Sequence, residues 1–475
     1  MVFSSTVFIF WFLPIVLLIY FVIPRSIKNF WLLLASLFFY AWGEPTYVWL
    51  MIFSIIMNYL FGLAVDKNRE KKAKIKWIMI AMVSSNLFIL GIFKYTNFIA
   101  DNIEKITGIN IDIPIIPLPI GISFFTFHAL SYVIDVYRGD RKVQKNPLNL
   151  ALYITMFPQL VAGPIVRYQT VANELNVRKE NLELIFYGIK RFIIGLAKKM
   201  LLANTFGQIA DQIFAQSPDQ MTTGMAWIGI VSYSLQIFFD FSGYSDMAIG
   251  LGKIFGFHFL ENFNYPYISR SVSEFWRRWH ISLGTWFRDY LYIPLGGNRG
   301  SNLETYRNLF IVWLATGIWH GASWTFIAWG LYYGFWIALE RSGLGKLLNV
   351  LPKVIQHFYA LIIVIIGWVF FRSETFSYAF DYIKTMFAFN GTGLWNSSNN
   401  LYVSEYGLLF IIAIITATPI GKMVTQKLGE WLTSKSKIAS LGFQFGEAGW
   451  YCFLLLVSLS YVVASTFNPF IYFKF

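Results

Sequence analysis

Long apolar runs recur along the whole of this chain, and they limit what it can fold into. A helix needs about 20 apolar residues to cross a bilayer. The runs occupy residues 7–24, 30–43, 46–65, 77–95, 113–136, 149–166, 183–204, 225–250, 308–339, 355–371, 406–420 and 447–467. Some runs are short or contain charges, so we expect about eleven membrane-spanning helices together with one or more re-entrant or interfacial helices. We therefore predict an all-α polytopic membrane protein in which residues 1–475 form a single domain.

The overall composition supports this class. Hydrophobic residues make up 56% of the chain and charged residues only 13%, whereas a soluble domain carries about 25% charge. The net charge of +13 would suit a nucleic-acid-binding protein, but in membrane proteins excess Lys and Arg mark cytoplasmic loops and contact anionic lipid. Membrane lipid is therefore an expected partner, and nucleic acid is not. The single cysteine, Cys452, excludes an internal disulfide and a cysteine-based metal site.

The distribution of charge predicts how the chain crosses the membrane. Basic loops are retained in the cytoplasm, and residues 66–76 (DKNREKKAKIK) and 138–145 (RGDRKVQK) are strongly basic. Counting spans back from the first of these loops places the N-terminus outside the cell, and the uncharged residues 390–400 are expected outside as well. Residues 1–24 lack a basic start and a small-residue cleavage site, so we interpret them as a first membrane anchor.

His320 is the residue that most strongly indicates a function. It lies in residues 308–339, which contain no Asp, Glu, Lys or Arg, and an ionisable side chain at membrane depth usually marks a functional interior. The alternative is a buried neutral histidine that is hydrogen-bonded to a backbone carbonyl. Gly317 and Gly321 flank the ring and would leave room for a ligand or a helix break, while Trp319 would exclude bulk water. A neutral imidazole can remove a proton near neutral pH.

Residues 271–294 form an amphipathic segment that contains a second histidine, His280. Ser271 and Glu274 have the spacing of a capping box, which predicts a helix start. One face of that helix would carry Trp276, His280, Leu283 and Phe287, and the opposite face Arg278, Ser282, Thr285 and Asp289. Two interpretations stay open: a helix on the cytoplasmic membrane surface, or a re-entrant helix whose arginines attract an anionic substrate. For His280, simple aromatic packing is as compatible with the sequence as a catalytic role.

The charges of this segment suggest different tasks for its two adjacent arginines. Arg277 and Arg278 point about 100° apart on a helix, and only Arg278 is in register with Asp289. We therefore expect Arg278 to pair with Asp289, which leaves Arg277 to meet a phosphate group of a substrate.

Two further acidic and aromatic side chains are candidates for supporting roles. Asp240 and Tyr244 lie in residues 239–246 (FDFSGYSD), inside an apolar run. A carboxylate at that depth must be paired or hydrogen-bonded. Asp240 could orient a histidine or hold an arginine, and a structural pair is the simpler expectation. His280 and His320 have no acidic cluster beside them in the sequence, so no metal site is expected.

Several stretches together resemble the membrane-bound O-acyltransferases, and within that family the subgroup that acetylates alginate and related bacterial polysaccharides. The matching residues are 121–127 (GISFFTF), 157–167 (FPQLVAGPIVR), 239–246, 274–299 (EFWRRWHISLGTWFRDYLYIPLGGNR), 316–330 (TGIWHGASWTFIAWG) and 468–473 (NPFIYF). They occur in the same order and are distributed over most of the length of the chain. Lys474 is a small departure, since it stands where relatives usually have Arg.

The resemblance implies a ring of helices around a thin core, in which a cytoplasmic funnel and an external opening meet at the family's histidine, here His320. The second family histidine corresponds to His280. It further implies a bacterial cell membrane protein that takes an acyl group, most simply acetyl, from a cytoplasmic thioester and passes it to an extracytoplasmic polysaccharide. The donor would be acyl-CoA or an acyl-phosphopantetheine carrier protein, with no tightly bound cofactor. An extracytoplasmic SGNH-type acetyltransferase is an implied partner.

In this scheme His320 is the base that deprotonates the acceptor hydroxyl, and His280, Trp276 and the two arginines shape the cytoplasmic side. Direct attack by the acceptor is favoured over an acyl-histidine. One alternative is D-alanyl transfer to teichoic acid, although the ending of residues 296–299 (GGNR) favours acetylation. A different class is a transporter of acyl groups in which the histidines relay protons.

Overall fold

The computed structural model describes residues 1–161, 163–465 and 467–469. In these residues the chain is helical and contains no strand, so the all-α prediction is confirmed. The first helices are α1 (Leu13–Val22), α2 (Arg25–Gly43), α3 (Val48–Lys67), α4 (Lys72–Thr107), α5 (Ile122–Arg138), α6 (Pro147–Thr155), α7 (Phe157–Leu160), α8 (Tyr168–Asn176), α9 (Leu182–Ala197) and α10 (Asn204–Phe214). Residues 470–473 of the C-terminal motif, and Lys474, lie outside the described residues.

The remaining helices are α11 (Thr223–Ile254), α12 (Val272–Arg278), α13 (Ile281–Phe287), α14 (Asn302–His320), α15 (Trp324–Leu339), α16 (Gly345–Val350), α17 (Lys353–Arg372), α18 (Phe376–Met386), α19 (Ser397–Thr416), α20 (Ile420–Lys435) and α21 (Lys437–Ala464). Short π-helical turns adjoin several of them, at Phe8–Phe12, Lys198–Ala203, Arg288–Tyr292 and Glu340–Leu344. Short 3₁₀ turns lie at Pro218–Gln220 and Pro266–Ile268.

Six of the described helices are long and apolar enough to cross a membrane: α3, α4, α11, α17, α19 and α21. In α19 and α21 only 11% of the apolar window is buried within the protein. Apolar surface turned outward to this extent is stable against lipid but not against water. The protein is therefore a polytopic membrane protein, while the count of about eleven spans stays a prediction.

Helix α11 is the structural centre, with 83% of its apolar window buried. It packs closely along α9 at two successive pairs of facing glycines, Gly188 with Gly250 and Gly195 with Gly243. A Cβ added at Gly188 would lie 2.5 Å from the carbonyl oxygen of Gly250, and one at Gly195 would lie 2.5 Å from that of Gly243. Only glycine permits this backbone approach, which is a common way for membrane helices to gain packing energy.

The apolar run 308–339 is divided into the two helices α14 and α15. Helix α14 ends at His320, Gly321 is fully extended, and the Ser323 side chain accepts a hydrogen bond from the backbone of Thr325 to start α15. Gly317 does not provide ligand space, contrary to one expectation from the sequence. A Cβ there would lie 2.6 Å from the carbonyl oxygen of Phe326, so this glycine lets α15 pack closely against α14.

The segment 271–294 is not one continuous helix. The Ser271 side chain does cap α12 by accepting from the backbone N–H of Glu274, as the capping-box spacing predicts. The helix nevertheless stops at Arg278, and His280 adopts a left-handed backbone conformation with φ 45° before α13 begins. This reversal overturns the two predicted helix faces, because residues on either side of it no longer share one helical register.

Candidate active site

His320 occupies the carboxyl end of α14, at the break before α15. Its side chain is 4% exposed and is enclosed by aromatic rings: the ring centroids of Trp319, Trp329 and Phe371 lie 4.9, 4.8 and 5.2 Å away. Neither imidazole nitrogen has a hydrogen-bond partner among the described residues. Buried polar atoms are rarely left without a partner, so this imidazole is suited to bind a hydroxyl group brought by a substrate.

His280 is held by a hydrogen-bond network that the sequence did not reveal. Its Nδ1 lies 3.1 Å from Oδ1 of Asn262, and the same oxygen accepts from the backbone N–H and the hydroxyl of Ser282 at 3.1 and 2.8 Å. The Asn262 amide is oriented by its donation to Ser245 Oγ at 3.1 Å. Because the Ser282 backbone N–H can only donate, the facing Asn262 atom is the carbonyl oxygen, and Nδ1 of His280 carries the proton.

The two histidines meet at Trp319. The His280 ring centroid lies 6.3 Å from that of Trp319, on which His320 packs at 4.9 Å. Trp319 also stacks on Phe127 at 5.4 Å, and Phe127 stacks on Trp286 at 3.8 Å. Residues some 40 positions apart are thus brought into one aromatic, water-poor site, as an internal acid–base reaction requires.

Trp276 connects this site to a surface cavity. Its ring centroid is 5.4 Å from that of Trp329, which contacts His320, and it also packs on Trp313 and Tyr333 at 4.9 and 4.8 Å. The next residue, Arg277, is exposed and lines a cavity of about 620 Å³.

This cavity is positively charged. Its basic side chains are Arg270, Arg277, Arg341 and Lys346, and its carboxylates are Glu274 and Glu340. Both carboxylates are engaged elsewhere. Glu340 accepts from the backbone N–H groups of Val272 and Ser273 at 2.6 and 2.9 Å, and Glu274 pairs with Arg278 at 2.9 Å. In the described part of the chain the four basic side chains form no ion pair, so the cavity suits an anionic ligand.

The prediction that Arg278 pairs with Asp289 is wrong. Arg278 instead bonds to Glu274 and to the carbonyl of Asn264 at 3.1 Å. Burial alone would raise the pKa of Glu274, but the Arg270 backbone N–H and the Arg278 guanidinium together hold it below its usual value. Thus Arg278 ties α12 to its own first turn and to the preceding loop.

Asp289 has a different set of partners. It forms an ion pair with Arg167 and another, at 2.7 Å, with Arg288, while its carbonyl accepts from Arg138 at 2.9 Å. Arg167 ends the motif at residues 157–167. The prediction failed because it assumed a continuous helix, whereas the turn at His280 separates the two residues.

Asp240 and Tyr244 lie on α11 behind the histidines. Asp240 forms a buried ion pair with Lys199 at 2.7 Å, with side-chain exposures of 2% and 4%. Tyr244 stacks on Phe3 with centroids 4.4 Å apart and planes at 13°. Between them Phe241 contacts the His280 ring edge-on at 4.5 Å. The geometry thus gives Asp240 and Tyr244 structural partners within the core.

Lys94 is a buried residue near the site that sequence analysis missed. It lies in α4, is 8% exposed, and donates hydrogen bonds to the carbonyls of Trp319 and His320, the latter at 3.2 Å. A signal was present, because a lysine within the apolar run 77–95 is an ionisable group at membrane depth. No comparable signal marks Asn262, which is an ordinary loop residue in the sequence.

No group of three or more His, Cys, Asp or Glu side chains with the geometry to hold a metal ion occurs among residues 1–161, 163–465 and 467–469. The groups that the site does present are two imidazoles inside an aromatic wall and guanidinium groups at the nearby cavity, which can supply acid–base and electrostatic chemistry.

Comparison with known proteins assigns the class. Residues 73–379 match the membrane-bound O-acyltransferase family, which is more than half of the chain. The sequence is 44% identical over 430 residues to "Probable alginate O-acetylase AlgI" of Pseudomonas aeruginosa, covering 88% of this chain and 81% of that protein. It is 34% identical over 520 residues to "Peptidoglycan O-acetyltransferase" of Helicobacter pylori, covering 100% and 98%.

A more partial likeness is to "Teichoic acid D-alanyltransferase" of Bacillus subtilis, with 30% identity over 45% of this chain and 56% of that protein. The chain therefore belongs to the membrane-bound O-acyltransferase family. Its similarity to polysaccharide acetylation proteins extends over far more of its length than its similarity to D-alanyl transfer proteins, and it is an O-acyltransferase.

Proposed function

We propose that this protein transfers an acyl group, specifically acetyl, from a cytoplasmic thioester to a hydroxyl of an extracytoplasmic polysaccharide, with His320 as the general base. The observation that carries this proposal is the buried His320 imidazole, whose two nitrogens have no hydrogen-bond partner among the described residues. An acceptor hydroxyl is a group of the right size and polarity to meet it.

The reaction follows from that arrangement. His320 accepts the proton of the acceptor hydroxyl as its oxygen attacks the thioester carbonyl, and a C–O bond forms. The C–S bond then breaks, and the thiolate that leaves takes up the proton from the imidazole. The products are an ester and a free thiol, and no acyl-histidine is required. Trp319 and Trp329 exclude water, which would otherwise compete as the acceptor.

The donor is proposed to bind through the basic cavity at Arg277. CoA and phosphopantetheine carry phosphate groups, which arginine binds well. Leu309 lines the cavity and lies eleven residues before His320 on α14, which is about 16 Å at the rise of an α-helix. A donor anchored there must reach inward by that distance, as the thin, extended pantetheine arm can.

The direction of transfer rests on the proposed topology. With residues 66–76 in the cytoplasm, α4 runs outward from Lys72, and Lys94 lies about 33 Å further along it. The site at His320 would then lie towards the outer surface, and the Arg277 cavity towards the cytoplasm. The same proposal includes an extracytoplasmic SGNH-type acetyltransferase as a partner, acyl-CoA or an acyl carrier protein as the donor, and location in the bacterial cell membrane.

The test is a turnover assay with the purified protein in lipid vesicles, supplied with acetyl-CoA or an acetylated carrier protein and an oligosaccharide acceptor. His320→Ala should lower ester formation by about 10²–10⁴-fold, the usual contribution of a general base. His258→Ala is the matched control, because His258 is an exposed histidine paired with Glu174 at 2.8 Å and should retain wild-type turnover.

Ester formation by His320→Ala at the wild-type rate would refute the proposed base. Accumulation of acyl groups across the vesicle membrane without any ester would instead identify a transporter. In a parallel assay with a D-alanyl thioester of the carrier protein, transfer of D-alanine in preference to acetyl would favour the teichoic acid alternative.

A further inference from the structure

The carboxyl end of α14 is held by one turn of α4. The Lys94 ammonium donates to the carbonyls of Trp319 and His320, and the Tyr95 hydroxyl donates to the carbonyl of Ile318. Three consecutive carbonyls at the helix end are therefore capped by two adjacent side chains. These are groups that a helix cannot satisfy internally.

The capping cation has no carboxylate partner among the described residues. Besides the two carbonyls, Lys94 Nζ lies 3.4 Å from Ser123 Oγ. A lysine buried at membrane depth is costly, and here the compensation comes from the negative end of the α14 dipole and its exposed carbonyl oxygens. Two helix-end carbonyls therefore supply the closest contacts to this charge, and the Ser123 hydroxyl and the Trp319 ring, 5.8 Å away, lie further off.

The same face of α4 holds the chain beyond the break. Asn102 Oδ1 accepts from Trp324 Nε1 at 2.8 Å, and the Phe98 and Trp324 rings lie 5.7 Å apart. Helix α4 therefore contacts residues on both sides of Gly321, the point at which His320 is presented.

We propose that Lys94 is a positioning residue that sets the orientation of the His320 imidazole, an inference that rests on the proposed role of His320. No protein hydrogen bond within the described residues orients that imidazole, so its direction depends on aromatic packing and on where its own backbone is held. Lys94 fixes that backbone through the His320 carbonyl. It touches no reacting atom and acts only through His320.

Removal of the ammonium should shift the end of α14 without unfolding the protein. The carbonyls of residues 319 and 320 would be left buried without these donors, which is costly, and the helix end would move to regain a partner. A displacement near 1 Å can lower turnover by about 10²-fold. The affinity for the donor should not change, because Lys94 does not line the donor cavity, which touches α14 at Leu309, about 16 Å along the helix from His320.

The experiment compares Lys94→Met, Lys94→Gln and Asn86→Ala in the vesicle assay, at equal amounts of folded protein measured by size-exclusion chromatography. Asn86 is the matched control. It is buried on the same helix and exchanges amide hydrogen bonds with Asn58 at 3.0 and 2.9 Å, but these bonds do not reach α14. Lys94→Gln retains an N–H donor, so it should recover part of what Lys94→Met loses.

The expected result for Lys94→Met is a kcat lowered by about 10–100-fold with the donor KM unchanged. Asn86→Ala should lower the melting temperature but keep the wild-type kcat. Wild-type kcat in both Lys94 variants would overturn the inference while leaving the role of His320 intact. So would losses of kcat that track melting temperature equally in the Lys94 and Asn86 variants. Wild-type activity in His320→Ala would instead refute the proposed function itself.

Discussion

The adjacent residues Arg277 and Arg278 allow a direct test of the donor cavity, because one lines it and the other does not. Replacement of Arg277 by Ala removes an exposed guanidinium that has no ion-pair partner among the described residues. A charge-assisted hydrogen bond contributes about 1.5–3 kcal/mol. Because the cavity is open to solvent, we take the low end, which corresponds to about a tenfold increase in the KM for acetyl-CoA.

Arg278→Ala should have the opposite signature. It breaks the pair with Glu274 at 2.9 Å and the hydrogen bond to the Asn264 carbonyl at 3.1 Å. An i,i+4 ion pair contributes about 0.3–0.5 kcal/mol, and a hydrogen bond donated by a charged guanidinium about 1.5–3 kcal/mol. We therefore expect a lower melting temperature with an unchanged donor KM.

The assay is acetyl transfer as a function of acetyl-CoA concentration for both purified variants, together with thermal melting. The Arg277→Ala effect should shrink at high salt, since screening weakens a solvent-exposed phosphate contact. An early-melting Arg277→Ala protein with a normal donor KM would show that Arg277 is structural, and the proposed donor site would have to be abandoned.

Two other predictions test the topology and the second histidine. In a Cys452→Ser background, Glu70→Cys should react with a membrane-impermeant thiol reagent only after the cells are opened; labelling of intact cells would contradict the cytoplasmic position of residues 66–76. Asn262→Ala leaves His280 Nδ1 and two Ser282 donors without their acceptor, so it should destabilise the protein by about 1–3 kcal/mol and lower turnover. Asn262→Asp keeps an acceptor oxygen, so its melting temperature and its turnover should both fall less than those of Asn262→Ala. If the two variants lose melting temperature and acyl transfer equally, the acceptor oxygen is unimportant.

Two of the failures of sequence-based prediction share a cause. The periodic pattern of residues 271–294 correctly marks a helix start at Ser271, but a single residue with positive φ, His280, ends the register. The pairing of Arg278 with Asp289 was inferred from that register and failed with it. Periodicity predicts which residues share a face only as long as the backbone stays helical.

The sequence by itself determined the class of this protein. Its apolar runs are long enough to require a bilayer, and His320 is the only residue in 308–339 whose side chain ordinarily titrates near neutral pH. Both properties follow from local composition. The tertiary structure alone decided which groups surround His320. Three contacts join residues that are distant in the chain. His280 and His320 both pack on Trp319, Lys94 donates to carbonyls at the end of α14, and Asp289 pairs with Arg167. Such contacts depend on how the helices pack. Helix packing is set by close glycine contacts and by single backbone reversals, and no local sequence pattern encodes it.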